Sequence, residues 1–516
     1  MRCFLGLDNG GTATKAALYD ETGRELSVAA RETRMLTPKP GFTERDMEEM
    51  WDANCAVIRE ALAAANVAAE DVQGVAVCGH GKGLYLWGKD GRPARNGIIS
   101  TDNRAWAYPV RWREDGIEAR AMRLSCQHVM ACQPVALLAW LRDNEPEVME
   151  NIQWVFECKD YVRFRLTGEA RAELTDYSGA NLVNLFTREY DDELQDCFGL
   201  RSLKSALPPL CESTGIAGYV TEEAAARCGL KAGTPVAGGM YDIDACAIAV
   251  NVLDERRVCM IAGTWSINEY LRRAPVTDGR AQMNSLFALP EYYLIEESSP
   301  TSAGNNEWFV RTLLPELSAE AKKSGCSVYD QMNAWAASLP PETFVPIFHP
   351  FLMASNVHPN AMGSFIGLDV SHTRAHLAKS VYEGIVFCHR YHLEKLLATR
   401  ETPPECVRLA GGAARSAVWT QMFADILGLP VETVSVNETG ALGCAITAAT
   451  AAGVYPSLAA AAEAMCPAGA RVEPDMQAHA AYDRRYMLYK QIVECLDPLW
   501  DGMRAAVEGD AGENAN

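Results

Sequence analysis

Residues 3–19 read Cys3-Phe4-Leu5-Gly6-Leu7-Asp8-Asn9-Gly10-Gly11-Thr12-Ala13-Thr14-Lys15-Ala16-Ala17-Leu18-Tyr19. An apolar run over 3–7 ends at Asp8 and a glycine pair, and a second strand-like run follows near 15–19, so the segment predicts two strands joined by a Gly-Gly-Thr turn. After the turn Glu21-Thr22-Gly23-Arg24, a run over 25–30 continues the series as antiparallel strands. A strand feeding directly into a helix, the opening of a dinucleotide-binding fold, is absent from this pattern. Thr43-Glu44-Arg45-Asp46 has the form of a capping box, and Met47, Met50, Trp51, Val57, Ile58, Ala61 and Leu62 recur near helical spacing, predicting an amphipathic helix. A buried strand over 72–78 then precedes Gly79-His80-Gly81-Lys82-Gly83, where glycines allow a ligand close to the backbone.

The pattern returns further on. A strand-like run at 234–236 leads to Gly238-Gly239-Met240-Tyr241-Asp242, and another at 257–262 leads to Gly263-Thr264-Trp265-Ser266. This is a weak internal duplication with a boundary around 249–256, where Asn251, Asp254, Glu255 and Arg256 interrupt the apolar pattern. Beyond it the sequence predicts a strand at 407–410, a turn at Gly411-Gly412, helices over 416–427 and 441–452, and a polar, frayed tail over 509–516. The domain division expected is 1–250, 251–490 and a short terminal piece, 491–516.

Composition narrows the function. A chain of 516 residues exceeds the roughly 250 to 300 at which one core stops growing, so two or more domains are expected. Forty-seven Lys and Arg stand against 67 Asp and Glu, a net charge of -20 that opposes binding to nucleic acid. The first residues lack an export signal, and no apolar run approaches the roughly 18 to 20 residues that cross a bilayer, so a cytoplasmic protein without membrane contact is expected. The 17 cysteines include no CxxC pair, which suits reduced thiols better than a zinc site or a disulfide frame.

Three turns at strand ends, Gly10-Gly11-Thr12, Gly263-Thr264 and Gly411-Gly412, can aim backbone N–H groups at phosphate oxygens, which together suggest a nucleotide. Neither a GxxxxGK[ST] loop nor a strand-placed GxGxxG occurs. Asp242, just past a glycine-rich strand end, is a candidate base for an alcohol attacking phosphorus. Asp244 is its rival, on the same face if the strand continues. Asp8, at the equivalent exit of the first strand, is a candidate Mg²⁺ ligand.

Gly363-Ser364-Phe365-Ile366-Gly367-Leu368, with His376-Leu377-Ala378-Lys379-Ser380-Val381-Tyr382-Glu383 after seven residues, resembles the C-terminal signature of the FGGY carbohydrate kinases. Leu409-Ala410-Gly411-Gly412-Ala413-Ala414-Arg415-Ser416 and Glu438-Thr439-Gly440-Ala441-Leu442-Gly443 resemble further segments of that family. The N-terminal signature fits at Pro134, Trp140, Leu141, Asp143 and Asn144 and departs from the pattern at Cys132 and Leu137.

The resemblance spans roughly residues 3–490. It implies an α/β protein of two actin-like ATPase (ribonuclease H-like) domains flanking a catalytic cleft, the first binding sugar and the second ATP. It further implies ATP contacts at Gly11, Thr12, Lys15, Gly263, Thr264, Gly304, Gly411, Gly412 and Ser416, a catalytic base at Asp242, Mg²⁺ at Asp8, and sugar contacts at Lys82, Asp102 and Asp242. His80 reads as an ordinary core histidine. A homodimer is a family-level expectation. Within the family, residues 40–46, Gly81-Lys82-Gly83 and residues 112–117 resemble bacterial L-xylulose kinases, whereas D-xylulose kinases tend to carry Met-His where Gly81-Lys82 stand. The expected activity is phosphorylation of the terminal hydroxyl of a ketopentose, L-xylulose before D-xylulose or another ketose or polyol. A non-catalytic sugar or nucleotide sensor and a chaperone-like ATPase are the rival classes, the second without a peptide-binding domain to serve it.

Overall fold

The structure is a computed structural model describing residues 2–263, 265–466 and 468–513. The chain forms two compact units: Met1–Glu255, Leu271–Ile295 and Val436–Pro467 make the first, and Arg256–Tyr270, Glu296–Ser435 and Ala468–Asn516 the second.

The first unit opens as the sequence predicts. Strands β1 (Cys3–Asn9), β2 (Ala13–Asp20) and β3 (Glu25–Glu32) pair antiparallel in succession. Helix α1 (Met47–Ala65) follows, and β4 (Val72–Gly79) then lies parallel to β1. Strands β5 (Ile216–Tyr219) and β6 (Pro235–Ala237) complete the order β5-β6-β4-β1-β2-β3, with β7 (Met240–Tyr241) also pairing β4. Side chains alternate along a strand, so Cys3, Leu5 and Leu7 share one face of β1. There they join Ala16, Leu18 and the α1 residues Met50, Trp51, Cys55 and Ile58 in one buried cluster. Phe4, Gly6 and Asp8 take the opposite face.

The expected capping box at Thr43 is not formed. Asp46 caps α1 by accepting from the Glu49 N–H at 2.9 Å. Glu44 and Arg45 are drawn instead into a short antiparallel pairing with Gly97 and Ile98, which holds Thr43 too far upstream to cap.

Two short helices in this unit matter for the site: α2 (Leu174–Gly179) and α3 (Asp242–Ala249). Helix α3 begins at Asp242 itself, so the strand that would have put Asp244 on the same face does not continue. Two residues along a helix is roughly 200° of rotation, and Asp244 is wholly buried on another side.

In the second unit, β8 (Arg257–Ala262) pairs antiparallel with β9 (Ser266–Arg272). Helices α4 (Gly304–Leu313) and α5 (Arg374–Leu397) precede β10 (Cys406–Gly411), which runs parallel to β8 from Arg257 opposite Cys406 to Ala262 opposite Gly411. This hairpin with an added parallel strand repeats the arrangement of β1, β2 and β4, the duplication read from the sequence. Helix α6 (Ala417–Leu427) and β11 (Val431–Val434) follow, with Ser416 as the cap of α6 rather than its first residue.

Helix α7 (Thr439–Ala451) then rejoins the first unit, and β12 (Ala468–Val472) ends the run β9-β8-β10-β11-β12 of a seven-stranded sheet, which the strands Tyr293–Ser299 and Met283–Leu286 continue beyond β9. Helix α7 takes the face of β1 that α1 leaves open: a Cβ at Gly6 would collide with the Ala441 carbonyl, and one at Gly443 with that of Ala245. Where a frayed tail is expected, the helix Trp500–Glu513 continues; 514–516 lie outside the described residues.

Candidate active site

In the first unit the site begins at the exit of β1. Asp8 and Lys15 are register partners across β1 and β2, which puts their side chains on one face. Helix α7 starts over that face, and a Cβ at Gly440 would stand 2.8 Å from Asp8 Oδ2, so only glycine lets the helix start so near the carboxylate. Lys15 Nζ meets Glu438 Oε2 at 2.6 Å. Burial raises the Asp8 carboxyl above its usual value, with Lys15 acting to lower it and Glu438 to raise it further.

The Gly10-Gly11-Thr12 turn is shaped from beneath by Arg45. This wholly buried guanidinium donates to the Gly11 carbonyl at 2.6 Å and the Gly10 carbonyl at 3.3 Å. In a trans peptide the following N–H points opposite to the carbonyl, so the amides of Gly11 and Thr12 are turned away from Arg45, outward. Asn9 and Asn54 exchange side-chain bonds of 3.2 and 2.8 Å, and Thr14 donates to Asn9 at 3.1 Å, which fixes the base of the turn. The role of Arg45 was missed in the sequence, where it sits among charged residues heading a helix.

Asp242 lies at the matching edge of the same sheet. Along β4, Cys78 is opposite both Asp8 on β1 and Met240 on β7, so the two aspartates leave the sheet from the two strands that flank β4. Burial raises the Asp242 carboxyl well above its usual value; Asp8 and Asp176 raise it further, and the Lys82 ammonium opposes them. Lys82 is buried, 5% exposed, in the left-handed backbone region at φ 63°, and its Nζ donates to the Tyr241 hydroxyl at 3.1 Å. The structure therefore brings Lys82, Tyr241, Asp242 and Asp8 together. A carboxylate at the phosphate turn suits a hard divalent cation, so Asp8 fits Mg²⁺. His80 is buried and donates to or accepts from the Tyr85 hydroxyl at 2.9 Å; burial lowers it to about 3, leaving it neutral in the core.

Asp102 has a different place. Its Oδ1 accepts from the Arg104 backbone N–H and Nε, both at 2.9 Å, and its Oδ2 from Arg104 Nη2 at 2.9 Å and the Thr43 N–H at 2.6 Å. A carboxylate has about four acceptor positions, and here all are occupied, leaving none for a sugar diol. Arg104 also reaches Glu44 at 2.7 Å and lies over the Phe42 and Trp140 rings at 4.3 and 5.3 Å. Asp102 thus fixes Arg104 and the 42–45 segment. An arginine two residues on was the sequence signal for this pairing.

In the second unit, Gly263 lies just past β8, and Thr264 lies outside the described residues. The Gly263 carbonyl accepts from the Ala303 N–H at 2.9 Å, docking the start of α4, with Gly304 its first residue, against the turn. His389 on α5 was not found in the sequence; its ring nitrogens bond Ser266 and Ser302, each at 2.9 Å. Burial lowers it to about 3, so it ties the two segments together as a neutral ring. Gly411 takes φ 88° and a Cβ there would stand 2.5 Å from the Ala262 carbonyl, so β10 turns hard against β8; Gly412 is exposed beside it. Ser416 accepts from the Trp419 N–H at 3.1 Å while donating to Asn333 at 2.8 Å, and Trp419 stacks on Tyr382 at 4.4 Å.

Comparison with known proteins divides the chain into two successive stretches. Residues 3–249 match the N-terminal domain of the FGGY family of carbohydrate kinases and residues 258–452 the C-terminal domain. The chain is 38% identical over 495 residues to the L-xylulose/3-keto-L-gulonate kinase of Escherichia coli, covering 96% of this chain and 97% of that one. Among solved structures, it is similar to a xylulose kinase from Rhodospirillum rubrum, at TM-score 0.82 and 27% identity over 97% of this chain and 100% of that one. A ligand-bound xylulose kinase from Lactobacillus acidophilus shares the fold at TM-score 0.86 and 23% identity, over 98% of this chain and 100% of that one.

Proposed function

Because this chain belongs to the FGGY family of carbohydrate kinases, we propose that it transfers the γ-phosphoryl group of ATP to the terminal hydroxyl of L-xylulose, giving the 5-phosphate. It is an ATP-dependent sugar kinase with the two-domain, actin-like fold of that family. The observation that carries the site assignment is the meeting of Asp242 with Lys82 and Asp8 at one strand edge.

In this reading Asp242 accepts the proton of the attacking hydroxyl, and Lys82 and the Tyr241 hydroxyl it holds orient the sugar. The outward amides of Gly11 and Thr12, with Lys15, bind phosphate oxygens. Gly263, Thr264, Gly304, Gly411, Gly412 and Ser416 hold the rest of the nucleotide. Asp8 is the carboxylate that would hold Mg²⁺, which when bound neutralises charge on the transferred group. Asp102 serves through Arg104. The proposed functional division is sugar binding by 1–250 and nucleotide binding by 251–490.

A cytoplasmic location and a homodimer, the family expectation, complete the proposal. Among the described residues no helix is long and apolar enough to cross a membrane. The test is ketose-dependent ADP release over a panel of ketopentoses, ketotetroses and polyols, with Asp242→Asn as control. L-Xylulose is expected to give the highest kcat/KM; a D-xylulose preference replaces the substrate, and the absence of any sugar-stimulated turnover removes the assignment.

A further inference from the structure

Among the described residues, a group of buried charges outside those assigned so far surrounds Lys159. Its ammonium lies 3.0 Å from Asp160, 3.5 Å from Glu173 and 3.0 Å from Asp176 Oδ2, and Arg163 meets Asp160 at 2.7 Å. Glu157, Asp160 and Asp176 have the spacing of metal ligands, but Lys159 already supplies the cation they would share. Asp176 differs from the other acids in where its second oxygen points. A Cβ built on Gly81 would stand 2.8 Å from Asp176 Oδ1 and would run into the Tyr241 ring. Gly81 immediately precedes Lys82, and Tyr241 immediately precedes Asp242. The residue before Asp176 joins the same place: Thr175 Oγ1 accepts the Tyr241 N–H at 3.0 Å.

From this juxtaposition we infer that Asp176 is a sugar-reading residue, whose Oδ1 accepts a hydrogen bond from a hydroxyl of the ketose while Lys82 donates to a neighbouring sugar oxygen. The inference rests on the ketose kinase reading above. Gly81 then has a definite purpose, since any side chain there would displace the carboxylate and the ring that flank the sugar.

Burial raises the Asp176 carboxyl above its usual value, and the Lys159 ammonium and a hydrogen bond with Glu157 oppose that rise. Burial, with Asp176 close by, raises the Glu157 carboxyl well above its usual value, so Glu157 is the partner that keeps a proton and can donate it to Asp176. A fixed, desolvated carboxylate discriminates strongly between a hydroxyl and a hydrogen, because without the hydroxyl its acceptor is left unmatched.

The experiment compares wild type with Asp176→Asn in steady-state ADP release, using the best ketose of the panel and its singly deoxygenated analogues. The isosteric variant is expected to raise the ketose KM about 10- to 100-fold while leaving the ATP KM within about twofold. The penalty that wild type shows for one deoxy analogue should vanish in the variant. Should Asp176→Asn not fold, Asp176→Ser, which removes the carboxylate while leaving Lys159 to Asp160 and Glu173, serves for the same measurement. A ketose KM within about threefold of wild type, or an undiminished deoxy penalty, overturns the role of Asp176. Wild type inert toward every ketose overturns the kinase reading and this inference with it.

Discussion

The Arg45 guanidinium donates to the Gly11 carbonyl at 2.6 Å, from a side chain wholly enclosed by protein. One cation thereby fixes the direction of two peptide planes in the phosphate turn. Arg45→Lys keeps the charge but loses the fork that spans both carbonyls. The expected outcome is a rise of about tenfold in the ATP KM with ketose binding, measured by calorimetry without nucleotide, near wild type. Equal loss of both affinities would place Arg45 in general stability instead.

Asp242→Asn should retain ketose binding and lower kcat by about 10² to 10⁴, the range for a general base. It should also stabilise the protein. The folded-state pKa of Asp242 lies above its unfolded value of about 4. Such a group contributes full stability below the unfolded value and loses it as pH rises through the folded one. The Tm gain of the Asn variant should therefore be near zero at pH 4 and grow toward pH 8; a gain independent of pH would contradict the raised value.

Lys82 opposes the upward shift of Asp242, and removing it should move the acid limb of the rate profile to higher pH. Lys82→Met is expected to shift the limb of log kcat/KM upward in addition to weakening ketose binding. An unmoved limb would restrict Lys82 to substrate contact.

Gly440→Ala places a methyl group 2.8 Å from Asp8 Oδ2 while leaving every charged residue of the sequence in place. Either α7 or the carboxylate must shift. The expected result is a higher Mg²⁺ requirement, read as the metal concentration for half-maximal rate, with removal of the metal by EDTA abolishing turnover of both proteins. An unchanged requirement would separate Asp8 from the cation.

The strands and glycine turns around Asp8 and Asp242 were legible because a period of two and glycine each leave a local mark in sequence. The helix starting at Asp242 was not legible, because Asp242-Ile243-Asp244-Ala245 suits either period over so short a span. Asp102 is a sugar contact by resemblance, yet its carboxylate is taken by how Arg104 folds back over two residues, which composition does not reveal. Arg45, Asp176 and His389 were missed for a related reason. Each works on groups far away in the chain, Gly11, Gly81 and the pair Ser266 and Ser302, and nothing nearby in sequence announces the partner.

Helix α7 covers the face of β1 that carries Phe4, Gly6 and Asp8, and it is encoded after most of the second unit. During synthesis, therefore, the first unit cannot mature in step with its emergence from the ribosome. Its sheet waits with one apolar side bare until residues 436–467 have been made. A fragment ending at residue 255 should consequently aggregate or recruit chaperones, and supplying 436–467 in trans should rescue its solubility.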